Sequence, residues 1–410
     1  MLNRHEEDIG TAALHHAAGG KPVMPQQVVI IGGGIIGCSV AWFLRHEGFT
    51  GEVVVIERDP SYQQSSTTLS AASIRVQFGS PVNVALSLFG ADFLRDLSGI
   101  LGRQADIGYV ERGYLILSPP AGVAEADRLL DIQRAQGCMV ERFEPAALAA
   151  RFPWLAVEGV GVGTFGLREE GWFDAWSLLA AMRAAAIDKD VRFCRAEADG
   201  LREAGGRIVN VRLADGTELK PDWVVCAAGA HSGRLTASLG IDLPVVPKKR
   251  SIYHFKAPLD NTDVPMVFDT SGAWLRPEGE GFICGISPDS SCDPDAYGDF
   301  EPDMSLFEER VWPALAARIP SLEQLRLLHA WAGHYDMNMF DHNAVLGAHP
   351  EIENLMFACG FSGHGVMHAP GAGRAVAEMI VHGGHRTIDI SPLAFDRIAQ
   401  GRPYIESTIY

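Results

Sequence analysis

Val28-Val29-Ile30-Ile31-Gly32-Gly33-Gly34-Ile35-Ile36-Gly37 is the stretch on which the reading of this sequence turns. Four β-branched residues enter a Gly32-x-Gly34-x-x-Gly37 turn, after which Ile36, Val40, Phe43 and Leu44 recur near a helical spacing up to Gly48. A second apolar run, Val53-Val54-Val55-Ile56, ends at Glu57, twenty residues beyond Gly37. Strand, glycine turn, helix and strand in this order make one βαβ unit, and strands apolar throughout belong to a parallel sheet buried on both faces. Gly32 permits the tight turn, Gly34 lets backbone approach a pyrophosphate, and Gly37 allows helix and strand to pack closely. The helix N-terminus offers unpaired N–H groups and a positive dipole end to phosphates. Glu57 is placed to accept from a ribose hydroxyl, and its charge disfavours a 2′-phosphate. A dinucleotide site follows, open at this point to FAD or NAD.

Comparable runs recur downstream. Trp223-Val224-Val225-Cys226-Ala227 leads into Ala228-Gly229, and Leu355-Met356-Phe357-Ala358 into a glycine-rich loop through Gly365 and a helix ending near Gly383. Between them, 109–120 alternates as a strand, 121–137 reads as an amphipathic helix, and Trp172 to Ile187 as an Ala/Leu-rich helix. A strand starts at Val191, and 207–219 reads as a hairpin turning at Asp215-Gly216. Residues 244–330 carry short strands and turns with one helix over about 304–319. Parallel-sheet and antiparallel-looking segments therefore interleave, which predicts an α/β protein assembled from discontinuous pieces.

Composition narrows the classes. A hydrophobic fraction of 47% and a charged fraction of 21% exclude wholesale disorder. With 34 Lys+Arg against 51 Asp+Glu the net charge is −17, and the densest basic stretch is Lys248-Lys249-Arg250, so no nucleic-acid partner is expected. The seven cysteines form no Cys-x-x-Cys, and Cys38, Cys226, Cys284 and Cys359 stand in apolar or glycine-rich contexts. They read as buried thiols of a reducing compartment, without a disulfide frame or metal site, and a cytoplasmic location is expected. The uncharged, strongly apolar stretch Val28 to Leu44 holds four glycines and falls short of the ~18–20 apolar residues of a membrane helix. Residues 1–25, polar and Gly/Ala/His-rich, read as a mobile arm.

Gly360-Phe361-Ser362-Gly363-His364-Gly365, followed by a helix from Pro370 to Val381, resembles the closing flavin motif of the D-amino-acid-oxidase-like FAD-dependent oxidoreductases, which include glycine oxidase, the sarcosine oxidases and dimethylglycine dehydrogenase. Four further motifs carry the resemblance from 28 to 409: Ser65-Ser66-Thr67-Thr68 through Arg75-Val76-Gln77-Phe78, Val224 through Ser232, Gly333-His334-Tyr335-Asp336, and Asp341 through Gly347. The segment 329–372 is most similar to a branch of FAD-oxidoreductase-domain proteins linked to respiratory-complex assembly. The resemblance implies a Rossmann-like FAD-binding domain over 26–107, 169–243 and 331–385. It implies a discontinuous α+β substrate domain, built on a mainly antiparallel sheet, over 108–168 and 244–330, and a tail, 386–410, packed on the FAD domain. FAD is then expected against Gly32, Gly34, Ile35, Ile36 and Gly37, against Glu57, Arg58, Ser65, Ser66 and Thr67, and against Ala198, Ala228 and Gly229. At the closing motif, Gly360, Gly363, His364, Gly365, Val366 and Met367 complete the set, their backbone N–H groups and helix dipole stabilising negative charge on the reduced cofactor.

Departures from the family pattern refine the expectation. Gly333 stands where monomeric sarcosine oxidases carry a flavin-bonded Cys, and Ser70 where the related dehydrogenases carry a flavin-linked His, so the FAD is expected to be non-covalent. Met367 replaces one lysine of the sarcosine oxidases, and Ile283 falls near the position of another, which activates oxygen. A dehydrogenase passing electrons to a carrier protein or quinone is favoured over an oxidase that uses oxygen.

Arg75 matches the arginine that holds the substrate carboxylate in sarcosine oxidases, a role suited to a planar bidentate guanidinium; a surface or inter-domain salt bridge is the alternative. Tyr335 would position the substrate amine or cap the pocket, and His364 is either a hydrogen-bond donor near the flavin or a packing residue. Arg250, Tyr253, His254, Trp274 and Arg276 are further pocket candidates, and Trp172 and Trp331 read as core. The expected reaction is oxidation of the C–N bond of a small amino or N-alkyl amino acid, by hydride transfer to flavin N5 and hydrolysis of the imine. Oxidation of a 2-hydroxy acid, with His364 or His334 as base, is the rival enzyme; a non-catalytic flavoprotein assembly factor is the alternative of another class. The oligomeric state is not legible in the sequence.

Overall fold

A computed structural model describes residues 27–408; the arm expected over 1–25 lies outside them. The fold is a mixed α/β arrangement of two large sheets and two small ones. In the six-stranded sheet the spatial order is Val345–Ala348, Leu355–Cys359, Trp223–Cys226, Gln27–Ile31, Glu52–Glu57 and Arg192–Arg195. All neighbours are parallel except the first pair. Alternate residues feed different cores. Val28, Ile30, Val53 and Val55 pack with the helices Ile35–His46, Pro81–Arg95 and Gly365–His382. Val29, Ile31, Val54 and Ile56 pack on the other face with Leu201 and Val211 of the small sheet over 198–219. Burial on both faces is why these strands show no polar alternation.

The eight-stranded sheet is antiparallel except where Met266–Phe268 runs parallel to Tyr114–Ser118. Its edge pairs Val245–Lys256 with Arg326–Asn338, from Val245↔Asn338 to Lys256↔Arg326, with one shift of register between His254 and Phe255. These are long strands where the sequence suggested short ones. They also correct a boundary: residues 331–338, assigned with the nucleotide-binding segments, continue the strand begun at Arg326 and belong to this sheet. Pairing with a partner about eighty residues away overrides a local pattern that shows no break. Helix Met304–Arg318, interrupted by a π-turn over Phe307–Val311, covers the sheet with Phe307, Val311 and Leu315.

The closing helix starts at Gly365, a turn before the expected Pro370, which sits inside it. Proline removes the N–H that would reach the Val366 carbonyl, but packing holds the turn. A Cβ on Gly90 would lie 2.3 Å from the Met367 carbonyl oxygen, so the helix Pro81–Arg95 presses directly on it. All seven cysteines are free, with Cys38, Cys226, Cys284 and Cys359 buried. Among the described residues no helix is long and apolar enough to cross a membrane.

The contact between the first and closing helices is tight at Gly373, where a Cβ would stand 2.6 Å from the Ser39 Cβ and 2.7 Å from its carbonyl carbon. Gly373→Val is expected to destabilise the fold by about 1–3 kcal/mol through overpacking. An unchanged urea midpoint would show that the helices can part at no cost.

Candidate active site

A cavity of about 410 Å³ lies at the carboxyl ends of the parallel strands, within the usual range of small-molecule sites. Three glycines of the first turn do different work there. Gly32 has φ +105°, and a Cβ on it would lie 2.2 Å from the Ala227 carbonyl oxygen. A Cβ on Gly37 would lie 1.9 Å from the Gly32 carbonyl oxygen, so both serve the closeness of the chain to itself. Gly34 is different. Its backbone is extended, and a Cβ there would meet only Thr67 Oγ1, at 3.5 Å. The space over Gly34 belongs to the cavity.

Around this turn, Thr67 Oγ1 accepts from Ile35 N at 3.2 Å. Glu57 accepts from Gly33 N and from Asp59 N, both at 2.8 Å, which fixes its carboxylate at the strand end. Arg58 Nη2 lies 2.9 Å from His231 Nε2. Burial and the Arg58 charge push His231 down to about 4, leaving a neutral ring that can accept from the guanidinium. Ile36, Ser65, Ser66, Ala198, Ala228 and Gly229 line the same cavity, as do Gly363, Gly365 and Val366 of the closing motif.

The closing loop is held by Asp336, the last residue of the Gly333-His334-Tyr335-Asp336 motif. Asp336 accepts from Gly360 N at 2.8 Å and Phe361 N at 3.1 Å, and its own carbonyl accepts from Ser362 N at 3.1 Å. Burial lifts its carboxyl to about 6 against those hydrogen bonds. Gly363, at φ +100°, lies so close to Tyr335 that a Cβ would stand 2.4 Å from the ring.

A second cavity, of about 60 Å³, shares Ser70, Tyr335, Gly363 and Val366 with the first. Arg75, Tyr335 and His364, three residues far apart in sequence, meet on its wall, with Met367 beside them and Tyr114, Phe268 and Trp274 as aromatic panels. Arg75 is buried; its guanidinium donates to the Gln77 and Thr408 carbonyls and lies 3.9 Å from the centroid of the Phe78 ring. Burial, reinforced by the Arg75 charge, pushes His364 down to about 3, and its Nε2 has no hydrogen-bond partner among the described residues. Burial raises the Tyr335 hydroxyl above its ordinary range.

Other expected residues fall elsewhere. Gly37 and Gly360 support the turns without lining either cavity. Arg250 is paired with Asp293 at 2.9 Å, behind the Tyr335 ring. Tyr253 is core, donating to the Asp303 carbonyl, and His254 sits farther along its strand, opposite His329. Arg276 donates to the Ala71 carbonyl from Nε at 2.9 Å and Nη2 at 2.7 Å, and so braces the small cavity from outside. Trp172 is buried core, whereas Trp331 is half-buried and donates to the Leu69 carbonyl at 3.1 Å. Ile283 is buried among apolar residues.

Glu170 is a supporting residue that the sequence does not announce. Wholly buried, its carboxylate accepts from Val76 N at 2.8 Å, Gln77 N at 3.2 Å, Gln77 Nε2 at 2.9 Å and Tyr114 N at 3.2 Å. It ties the backbone beside Arg75 to the eight-stranded sheet. In the sequence it is one of two adjacent glutamates and carries no signal of burial.

A carboxylate at the second strand's end, open space over Gly34, two helix N-termini facing one cavity and the unpartnered His364 Nε2 together fit FAD. Residues 27–379 match the DAO family, described as FAD dependent oxidoreductase, and the chain belongs to that family. It is similar to FAD-dependent oxidoreductase domain-containing protein 1 of Xenopus laevis, with 40% identity over 430 residues, 95% of this chain and 86% of that protein. It is similar to the mitochondrial sarcosine dehydrogenase of Mus musculus, with 26% identity over 90% of this chain and 42% of that protein. Among solved structures, L-proline dehydrogenase from P. horikoshii superposes with a TM-score of 0.82 at 26% identity, covering 93% of this chain and 99% of that one.

Two expectations follow from the geometry. Gly34→Ala meets no clash and no backbone strain, so it should fold with an unchanged melting temperature yet bind FAD at least roughly tenfold more weakly; full retention of FAD would place the cofactor away from this turn. Burial, opposed by its four hydrogen bonds and Arg75, lifts Glu170 from 4.5 to about 7, so the folded chain keeps a proton that the unfolded chain has released. That contribution to stability is complete below about pH 4.5 and is lost as the pH rises through 7. Between pH 5 and 8 the protein should lose stability relative to Glu170→Gln, by no more than about 1.4 kcal/mol per pH unit; parallel urea-midpoint curves would contradict the shift.

Proposed function

We propose that this FAD-dependent oxidoreductase oxidises the C–N bond of a small amino acid or N-alkyl amino acid. The observation that carries the reading is the meeting of Arg75, Tyr335 and His364 around a small cavity that adjoins the larger one at Gly363 and has no carboxylate in its lining. FAD, when bound, supplies the hydride acceptor. Arg75 takes the substrate carboxylate through its planar fork. The Tyr335 hydroxyl orients the amine, and the aromatic panels exclude water. His364 stays neutral above about pH 3, so it does not compete with Arg75 for the carboxylate. It is also a weak proton acceptor, and a 2-hydroxy acid needs a base for its hydroxyl proton. An amine bound deprotonated needs none.

The finer reading is a dehydrogenase with non-covalent FAD. Gly333 brings no thiol and Ser70 no imidazole for a flavin bond, and Met367 and Ile283 supply no cation. The seven free cysteines suit the reducing cytoplasm.

The test is a visible spectrum of the purified protein, before and after acid precipitation, then anaerobic addition of N-methyl, D- and L-amino acids and 2-hydroxy acids. An amino acid should bleach the flavin band, air should restore it slowly, and acid should release the colour from the protein. Arg75→Lys keeps the charge and loses the fork, so half-bleaching should need roughly tenfold more substrate. Bleaching by hydroxy acids alone would replace the amine reading, and a yellow protein that nothing reduces would favour an assembly role.

A further inference from the structure

Arg75 is held in part by a segment 333 residues away in the chain. One of its Nη2 protons goes to the carbonyl of Thr408. A guanidinium works as a fork only when its plane is fixed, and a backbone carbonyl can fix it without cancelling its charge as a carboxylate would. The Gln77 carbonyl is a second such anchor, and the Phe78 ring supports one face. Thr408 is therefore placed as part of the wall behind the carboxylate site, and what places Thr408 matters.

That residue is Glu406, fully buried. One of its oxygens accepts from Gly79 N at 2.9 Å, Thr408 N at 3.1 Å and Thr408 Oγ1 at 2.7 Å. The other accepts from Ser80 Oγ and Asn83 Nδ2, both at 2.9 Å. Gly79 to Asn83 form the N-terminus of the helix Pro81–Arg95, where a negative charge is favoured. Just upstream, Asp341 accepts from Tyr404 N at 3.0 Å through its side chain and from Glu406 N at 3.1 Å through its carbonyl. The segment is thus fastened at 404 and 406 and meets Arg75 at 408.

We propose that residues 402–408 are a latch of the substrate site, in which Glu406 is a positioning residue that seats the Thr408 carbonyl against Arg75. The proposal rests on Arg75 being the carboxylate anchor. Because coupling between two sites is reciprocal, a carboxylate bound at Arg75 must in turn tighten the latch.

The probe is acetate, titrated into FAD-loaded protein and followed by the flavin absorbance. In Glu406→Gln an amide N–H faces donors it cannot satisfy, and a chain ended at Ile405 lacks the latch altogether. Both should keep the flavin spectrum and bind acetate at least tenfold more weakly. On the unaltered protein, saturating acetate should slow amide hydrogen exchange of residues 404–408 several-fold, and Arg75→Lys should remove that slowing. Acetate binding at unaltered strength in both variants overturns the latch alone. If a variant loses FAD, the exchange measurement decides, and no slowing overturns the latch. A protein that does not respond to acetate overturns the carboxylate anchor and the latch together.

Discussion

Separate stretches of chain have to meet at the carboxyl edge of one parallel sheet, and space for a ligand exists because glycines stand where they press closest. Gly32 turns within contact of Ala227, and Gly363 within contact of Tyr335. A methyl group on Gly32 would collide with the Ala227 backbone, and one on Gly363 with the Tyr335 ring. Around this constraint the remaining features become intelligible. Glu57, from the neighbouring strand, holds one glycine turn by the Gly33 N–H, Asp336, from the eight-stranded sheet, holds another by the Gly360 and Phe361 N–H groups, and the helices behind them pack closely enough to need Gly90 and Gly373. The charge at the strand ends is arranged to orient backbone first and ligand second.

The small cavity shows the opposite economy. Its ionisable groups are few, and burial sets the protonation of His364 and Tyr335. His364 is neutral, the Tyr335 hydroxyl keeps its proton, and Arg75 supplies positive charge. In a low-dielectric site a single fixed charge is a strong selector, because a ligand lacking the complementary group pays desolvation without return.

The parts of this fold that could be read in the sequence are those whose causes are local. The glycine turn, the helix after it and Glu57 lie within thirty residues of one another, and their spacing alone states their geometry. Arg75, Tyr335 and His364 were legible through resemblance, since nothing in their neighbours announces a cavity. Glu170, Asp336 and Glu406 were not legible as buried anchors. Each is a common acidic residue whose role arises from donors that tertiary packing delivers, in the case of Glu406 from 323 to 327 residues away. The boundary at 330 and the start of the closing helix differ from expectation for the same reason: strand pairing and helix packing, rather than propensity, decide both.

The interleaving of the six-stranded sheet also governs how the chain is made. Gln27–Ile31 and Glu52–Glu57 are made before the rest of their sheet and pair with each other, yet their outer partners are Trp223–Cys226 and Arg192–Arg195, and the sheet is complete only with Leu355–Cys359. At ordinary rates of synthesis the two earliest strands, apolar on both faces, wait roughly ten seconds for a neighbour on either side. Such a nascent chain is exposed to misassociation for longer than one whose sheet closes in sequence order, and it is a natural client for chaperones that bind extended apolar segments.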